Sequence, residues 1–335
     1  MGSLRFILAI LVLLSHTGQT LMGLNPGVMA VVVFYIISGY VMAALMDRHY
    51  ATADRVIPFY ADRLLRIYPQ YALYAAAAAV WLSATGHRTA FLSAQPSLQD
   101  WLNNILIIPL NYFMFNGADL FTLVPPAWSL GCEVLFYLLA PWLWQRWRLA
   151  WLLGAASLCV QIMAWHGLLH SDWWGYRLLP GVLWIFVLGM AMRRYQVTHR
   201  QATNLVVACL PLMFAATAAY LAVIGCLKQP YHREVLLGLG LGIPLVHLLS
   251  QHTSRALWLK QLDTRLGNVS YGIFLNHFLL IWCLGLDHPQ GASDWGVLLF
   301  SSITLSALTQ RWLEQPVLGW RRRWRQAGQS PKITP

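Results

Sequence analysis

The sequence predicts an all-α, polytopic transmembrane bundle of about ten spans. Three observations predict it. Of the 335 residues, 58% are hydrophobic and only 10% charged, with a mean hydropathy of +0.53; a soluble domain would carry roughly a quarter charged residues. Apolar stretches near the ~20 residues that a bilayer span needs recur along the whole chain. Lysines and arginines gather in alternate connections, as the positive-inside rule requires.

The spans are expected at 4–22, 28–46, 67–85, 128–145, 149–166, 177–194, 204–225, 234–250, 268–286 and 294–312. The first is expected to be retained, because no small-residue cleavage site follows its apolar run. In the second, Ser38 and Gly39 of "FYIISGY" suit close helix approach. Before the third lies a basic segment, Asp47 to Arg66. Before the fourth lies an outer segment, Gly86 to Ala127, too hydrophobic for a solvated loop and too broken by Asn, Pro and Gly for a span. A re-entrant or interfacial segment near 101–127, lining a cavity, would satisfy its backbone. The fifth to eighth spans are joined by short connections and carry no signature. No internal repeat stands out, which weighs against an inverted-repeat transporter. The expected organisation is one transmembrane domain, 1–320, and a basic cytoplasmic tail, 321–335.

Alternating ten spans from an inside N-terminus puts 19 of the 23 Lys and Arg residues inside and leaves Arg88, Arg177, Lys228 and Arg233 outside. That split gives an N-in, C-in orientation. The net charge of +11 is then mostly topology: no nucleic-acid partner is called for, and the basic tail suits anionic membrane lipid. The five cysteines show no C-x-x-C pairing, so neither a disulfide framework nor a metal site is indicated.

An ionisable side chain in hydrocarbon costs about 2.5 kcal/mol or more and is a functional candidate by default. Arg5 and His16 stand eleven residues apart, which returns a helix to within about 20° of the same face some 16 Å further on. Glu133, the one acidic residue well inside a span, is expected about six residues from the outer end of the fourth span. It could therefore meet His16 at one depth and orient its imidazole. The plainer readings are a topology anchor for Arg5, a helix–helix hydrogen bond for His16 and a structural ion pair for Glu133. Asn276 and His277 form a second polar pair in the ninth span, expected nearer the cytoplasm. Arg63 and Arg66 project from one face at the inner surface, followed by Tyr68 and Pro69; they suit phosphate groups or simple anchoring.

These residues fall into motifs. Arg5, ten residues, His16; "FYIISGYVM" (Phe34–Met42); "FYADRLLRIYPQY" (Phe59–Tyr71); "PPAWSLGCEVLFYLLAP" (Pro125–Pro141); "SYGIFLNHF" (Ser270–Phe278); and "EQP" (Glu314–Pro316) follow in that order. In that order they resemble the acyltransferase 3 family of bacterial membrane-bound O-acyltransferases. The spans from 149 to 250 do not share in the likeness. The resemblance implies transfer of an acyl group, usually acetyl, from cytoplasmic acyl-CoA to a hydroxyl of a glycan or lipid-linked sugar at the bacterial inner membrane. It makes His16 catalytic with Arg5 and Glu133 as partners. Arg63, Arg66 and Tyr68 become donor contacts, and Trp128, Ser129, Asn276 and His277 acceptor contacts. Acetyl-CoA is the implied co-substrate, without metal; a homo-oligomer is compatible with it. Gly131 and Cys132 depart from the family's usual small-polar pair before the Glu, and no extracytoplasmic hydrolase domain is expected after the tenth span.

The chemistry is coherent. An alcohol attacking a thioester needs a base, and neutral imidazole has a suitable pKa; His16 could equally take the acyl group covalently. The rival readings are a proton-coupled transporter or flippase using His16, Glu133 and His277 as a relay, a membrane acyltransferase of the class that pairs His with Asn, and a scaffold without catalysis.

Overall fold

A computed structural model describes residues 1–251 and 256–320; the tail expected at 321–335 lies outside the described residues. The described chain is helical throughout: α1 (Gly2–His16), α2 (Pro26–His49), α3 (Val56–Thr85), α4 (Leu98–Leu106), α5 (Phe113–Asn116), α6 (Ala127–Gln145), α7 (Trp147–Trp165), α8 (Leu179–Thr198), α9 (Arg200–Val223), α10 (His232–Gln251), α11 (Leu257–Leu284) and α12 (Ala292–Thr309). Among the described residues seven helical stretches are long and apolar enough to cross a membrane: α2, α6, α7, Trp173–Gln196 (which contains α8 to Gln196), α9, α10 and α11. The chain is therefore a multi-pass membrane protein. α1 is apolar but has 15 residues, and α3 carries Asp62, Arg63 and Arg66 in its first half.

Local chemistry sets the element ends. Asn25 caps α2, its Oδ1 accepting from the backbone of Gly27 (2.9 Å) and Val28 (3.3 Å), with Pro26 opening the helix. Ser97 and Asp100 form a reciprocal capping box on α4. α2 packs on α1, α8 and α10, and α1 is also held by α11. A Cβ on Gly39 would stand 2.0 Å from the carbonyl oxygen of Phe186, and one on Gly189 would stand 2.2 Å from that of Ile36. The α2–α8 crossing thus requires both glycines, which bears out the small-residue reading of "FYIISGY". α9 is outermost and turns Leu205, Leu212 and Val223 outward.

Three boundaries differ from expectation: α3 begins at Val56 where the third span was expected from 67, and the other two matter for the site. The first span was expected to run to residue 22, but α1 ends at His16. Thr17, Gly18, Gln19 and Thr20 break the apolar run, and Gly18 and Gly23 turn the chain at φ +80° and +76°. The ninth span was expected from 268, but α11 begins at Leu257 and its polar first turns reach back alongside α1. There the Asp263 carboxylate accepts from the backbone N–H groups of Gly2 (3.0 Å) and Ser3 (2.8 Å) and from Ser3 Oγ (2.9 Å). Asp263 therefore caps α1 from a neighbouring helix and sets the two helices in register.

The 101–127 segment folds as short helical pieces against α6, with buried Asn side chains serving its backbone. Asn104 Nδ2 donates to the carbonyls of Asp100 (2.9 Å) and Phe121 (3.0 Å), while its Oδ1 accepts from Leu123 N (2.9 Å). Asn111 Nδ2 donates to the carbonyls of Trp128 and Arg177, both at 3.1 Å.

Candidate active site

Two cavities run through the bundle beside α1. One, of about 310 Å³, is lined by Arg5, Ser38, Arg63, Arg66, Glu133, Tyr137 and Tyr271 among others; it is called the near cavity, since Arg5 belongs to the first turns of the chain. The far cavity, of about 290 Å³, is lined by His16, Phe91, Phe113, Asp119, Trp128, Tyr176, Arg177 and Tyr231 among others. Val31, Ser129 and Phe274 line both, so the two spaces meet at those side chains. Arg5 and His16 are distributed one to each, about 16 Å apart along α1. A 15-residue helix is about 22 Å long, short of a ~30 Å hydrocarbon core, and the far cavity occupies the space past its end.

At the far end of α1, His16 Nδ1 lies 3.0 Å from His277 Nε2, the two rings nearly parallel, at an interplanar angle of 11°, with centroids 5.1 Å apart. His277 Nδ1 is 3.1 Å from the Ile273 carbonyl one turn back on α11. Phe278 tilts against His16 at 4.8 Å. The pair follows from the register set at the other end of the helices. His16 is 13 residues beyond Ser3 and His277 is 14 beyond Asp263, so parallel helices joined at Asp263 arrive at their histidines together.

This corrects the expected pairing. Glu133 does not meet His16. Its Oε1 accepts from Ser38 Oγ at 2.5 Å and Tyr137 OH at 2.6 Å, and it lines the near cavity with Arg5. The physical reason is the early end of α1: His16 is the last residue of its helix, while Glu133 lies six residues inside α6. For the same reason His277 is not a separate inner cluster. Asn276, expected with it, turns the other way; its Nδ2 donates to the Ser302 carbonyl (3.0 Å) and its Oδ1 accepts from Ser302 Oγ (2.6 Å), which ties α11 to α12.

The basic face of α3 does reach the near cavity, with its charges already engaged. Arg63 donates to the adjacent Asp62, through Nε at 3.1 Å. Arg66 pairs with Glu314 and lies over the Tyr271 ring at 5.2 Å. Arg5 makes no side-chain hydrogen bond or ion pair among the described residues, although Glu133 and Tyr137 line the same space. Tyr68 stands away from the cavity, its hydroxyl donating to the Ile105 carbonyl at 3.0 Å. Trp128 lines the far cavity; Ser129 sits at the junction, its hydroxyl donating to the Pro126 carbonyl at 3.0 Å.

One far-cavity residue had no motif to announce it. Arg177 ends the wide π-helical turn Trp173–Arg177 before α8; its Nε donates to Asp172 at 2.6 Å and its guanidinium lies 4.5 Å from the Trp128 ring centroid. As a lone Arg at a span edge it looked like any loop cation; the aromatic run "WWGYR" around it was the available signal.

The family profile described as an acyltransferase domain matches residues 2–311. The chain belongs to the acyltransferase 3 family. It is thus an acyltransferase of multi-pass membrane architecture, as the ordered motifs implied. The chain is 36% identical over 164 residues to an uncharacterised protein of Aquifex aeolicus (strain VF5), covering 48% of this chain and 72% of that one. It is 26% identical over 264 residues to the exopolysaccharide production protein ExoZ of Rhizobium meliloti (strain 1021), 76% of this chain and 77% of ExoZ. To nodulation protein 10 of Rhizobium leguminosarum bv. viciae it is 25% identical over 338 residues, 88% and 82% of the two chains. No solved structure matches.

Proposed function

We propose that this acyltransferase moves an acyl group, acetyl in the first instance, from cytoplasmic acyl-CoA to a hydroxyl of a cell-envelope glycan or lipid-linked sugar. The observation that carries the reading is the junction of two unlike cavities at Val31, Ser129 and Phe274. One is cationic; the other is aromatic and is bordered by His16, which is bonded to the buried His277. A donor with several phosphates and a long thin thioester arm matches the first. A sugar, which packs its C–H faces on aromatic rings, matches the second. The name of ExoZ refers to exopolysaccharide production, which supports a saccharide acceptor.

The orientation follows the charge split: both termini in the cytoplasm, ten helices crossing, and the near cavity open to cytoplasmic acyl-CoA at the inner membrane of a bacterium. Arg5, with help from Arg63 and Arg66, holds donor phosphates through charge-assisted contacts. The arm extends along α1 and delivers the thioester to His16. Nitrogen of His16 takes the acceptor hydroxyl proton as that oxygen attacks the acyl carbon, or itself carries the acyl group between two half-reactions. Trp128 and Arg177 position the acceptor. Glu133 organises Ser38 and Tyr137 in the donor cavity.

The rival proton relay requires His16, Glu133 and His277 to be joined, and the bonds of Glu133 run to Ser38 and Tyr137 instead. The test uses purified protein in proteoliposomes with acetyl-CoA. Slow thioester hydrolysis in the absence of acceptor, lost in His16→Ala, supports the reading; no hydrolysis and no acetyl transfer to envelope glycans overturns it. Mass spectrometry of envelope glycans from a deletion strain identifies the acceptor.

A further inference from the structure

We infer that His277 is a positioning residue that fixes the tautomer of His16 and so makes Nε2 the reacting nitrogen of His16. The inference rests on the acyltransferase reading above and deepens it at the same site.

One group in the chain of bonds has a role that cannot change. The Ile273 carbonyl only accepts. His277 Nδ1, 3.1 Å away, must therefore carry the proton of that bond. A neutral His277 then has its lone pair on Nε2, and Nε2 faces His16 Nδ1 at 3.0 Å. For that contact to be a hydrogen bond, His16 must hold its proton on Nδ1 and donate it. A neutral His16 is left with an unprotonated Nε2. His277 is fully buried and does not line the far cavity, whereas His16 does. The free lone pair thus lies on the ring that borders the cavity.

Three features hold this arrangement. The register at Asp263 brings the rings to one height. Phe278 packs on both rings, at 4.8 Å from His16 and 5.1 Å from His277. The bonds of Asn276 to Ser302 fix the rotation of α11 about its axis. A packing histidine would need none of these to agree.

In the reaction, the acceptor O–H proton moves to His16 Nε2 while its oxygen bonds to the acyl carbon. The carbon–sulfur bond then breaks and the thiolate leaves, recovering the proton from Nε2. The proton on Nδ1 stays in place throughout, and its bond to His277 strengthens while His16 is an imidazolium. The Val12 carbonyl is the other acceptor beside the His16 ring; without His277 the proton is held less firmly on Nδ1 and can sit on Nε2, where it blocks the base.

The experiment compares His277→Leu and His277→Gln with the parent protein, using side-chain ¹⁵N spectroscopy of histidine-labelled protein together with acetyl transfer. The expected result is an unprotonated Nε2 on His16 in the parent protein. In His277→Leu the tautomer should be mixed and kcat lower by about tenfold or more, at a KM for acetyl-CoA unchanged within about twofold. His277→Gln, whose amide oxygen can accept from Nδ1, should recover both the tautomer and most of kcat. A protonated Nε2 in the parent protein overturns the inference. So does a fully active His277→Leu, or a well-expressed His277→Gln as inactive as His277→Leu. The tautomer is read without turnover, so failure of the broader acyl-transfer reading would show separately, as absence of transfer by the parent protein.

Discussion

Replacing Arg5 by Gln separates donor binding from folding in a way that the two α3 arginines cannot. All three arginines line the near cavity. Arg63 is committed to Asp62 and Arg66 to Glu314. Glu314 is 6% exposed, and removing one partner of a buried pair costs about 3–5 kcal/mol. A double Arg63/Arg66 substitution therefore mixes lost donor contacts with an uncompensated buried carboxylate. Arg5 has no such partner among the described residues, so its loss strands no buried carboxylate. A charge-assisted hydrogen bond contributes about 1.5–3 kcal/mol, which converts to a rise of about 10- to 150-fold in the KM for acetyl-CoA. The kcat at saturating donor should change far less, because Arg5 lies about 16 Å from His16 along α1. The assay is acetyl transfer against donor concentration, with equal membrane expression of both proteins and repetition at raised salt, which should shrink the difference. A KM within about twofold of the parent value would refute the assignment of Arg5 to the donor phosphates.

Further outcomes are expected elsewhere. Glu133→Gln keeps an acceptor for Ser38 and Tyr137, so the fold should hold and the effect should fall on donor KM; a loss of about 10² or more in kcat would return Glu133 to the chemistry. Asp263→Ala removes the cap of α1, at a cost of about 0.5–2 kcal/mol, and should lower the thermal midpoint in detergent while Asp263→Asn falls between. Gln95→Cys, exposed in the connection before α4, should label with an impermeant maleimide in intact spheroplasts. That test needs a background without Cys159, Cys209 and Cys283, which are exposed, and labelling only after lysis would reverse the topology.

Much of the architecture was legible because hydropathy acts over whole helices. Among the described residues seven of the expected spans fall on helices long and apolar enough to cross a membrane, and glycine at 39 announced a backbone contact. What could not be read, for the site, was where α1 stops and where α11 begins. The stretch "KQLDTRLGN" looks like an inner loop because it is polar, yet it forms turns of α11 beside the start of α1. Polarity there reflects position beyond the hydrocarbon, and it does not interrupt the helix. The site residues were found individually by chemistry: Arg5, His16, Glu133 and His277 were all candidates. Their grouping depended on depth, and depth depended on those two ends.

The short first helix also gives Arg5 and His16 their separate surroundings. An apolar helix of full bilayer length would bury His16 against lipid-depth neighbours and close the space above it. Ending α1 at His16 instead leaves room for the 101–127 segment to fold in, with Phe113, Asp119 and Trp128 bordering the space into which His16 faces. The broken, Asn-rich character of that segment is then necessary, since a backbone entering such a space must find its hydrogen bonds among side chains such as Asn104 and Asn111. Arg5 at the opposite end is complementary: among the described residues it is the near-cavity arginine whose bonds are not taken by a protein carboxylate. One helix thus presents a cation to one cavity and a histidine to the other. Among the described residues Val31, Ser129 and Phe274 line both cavities, so a bulky residue at Ser129 is the substitution that should separate donor binding from transfer.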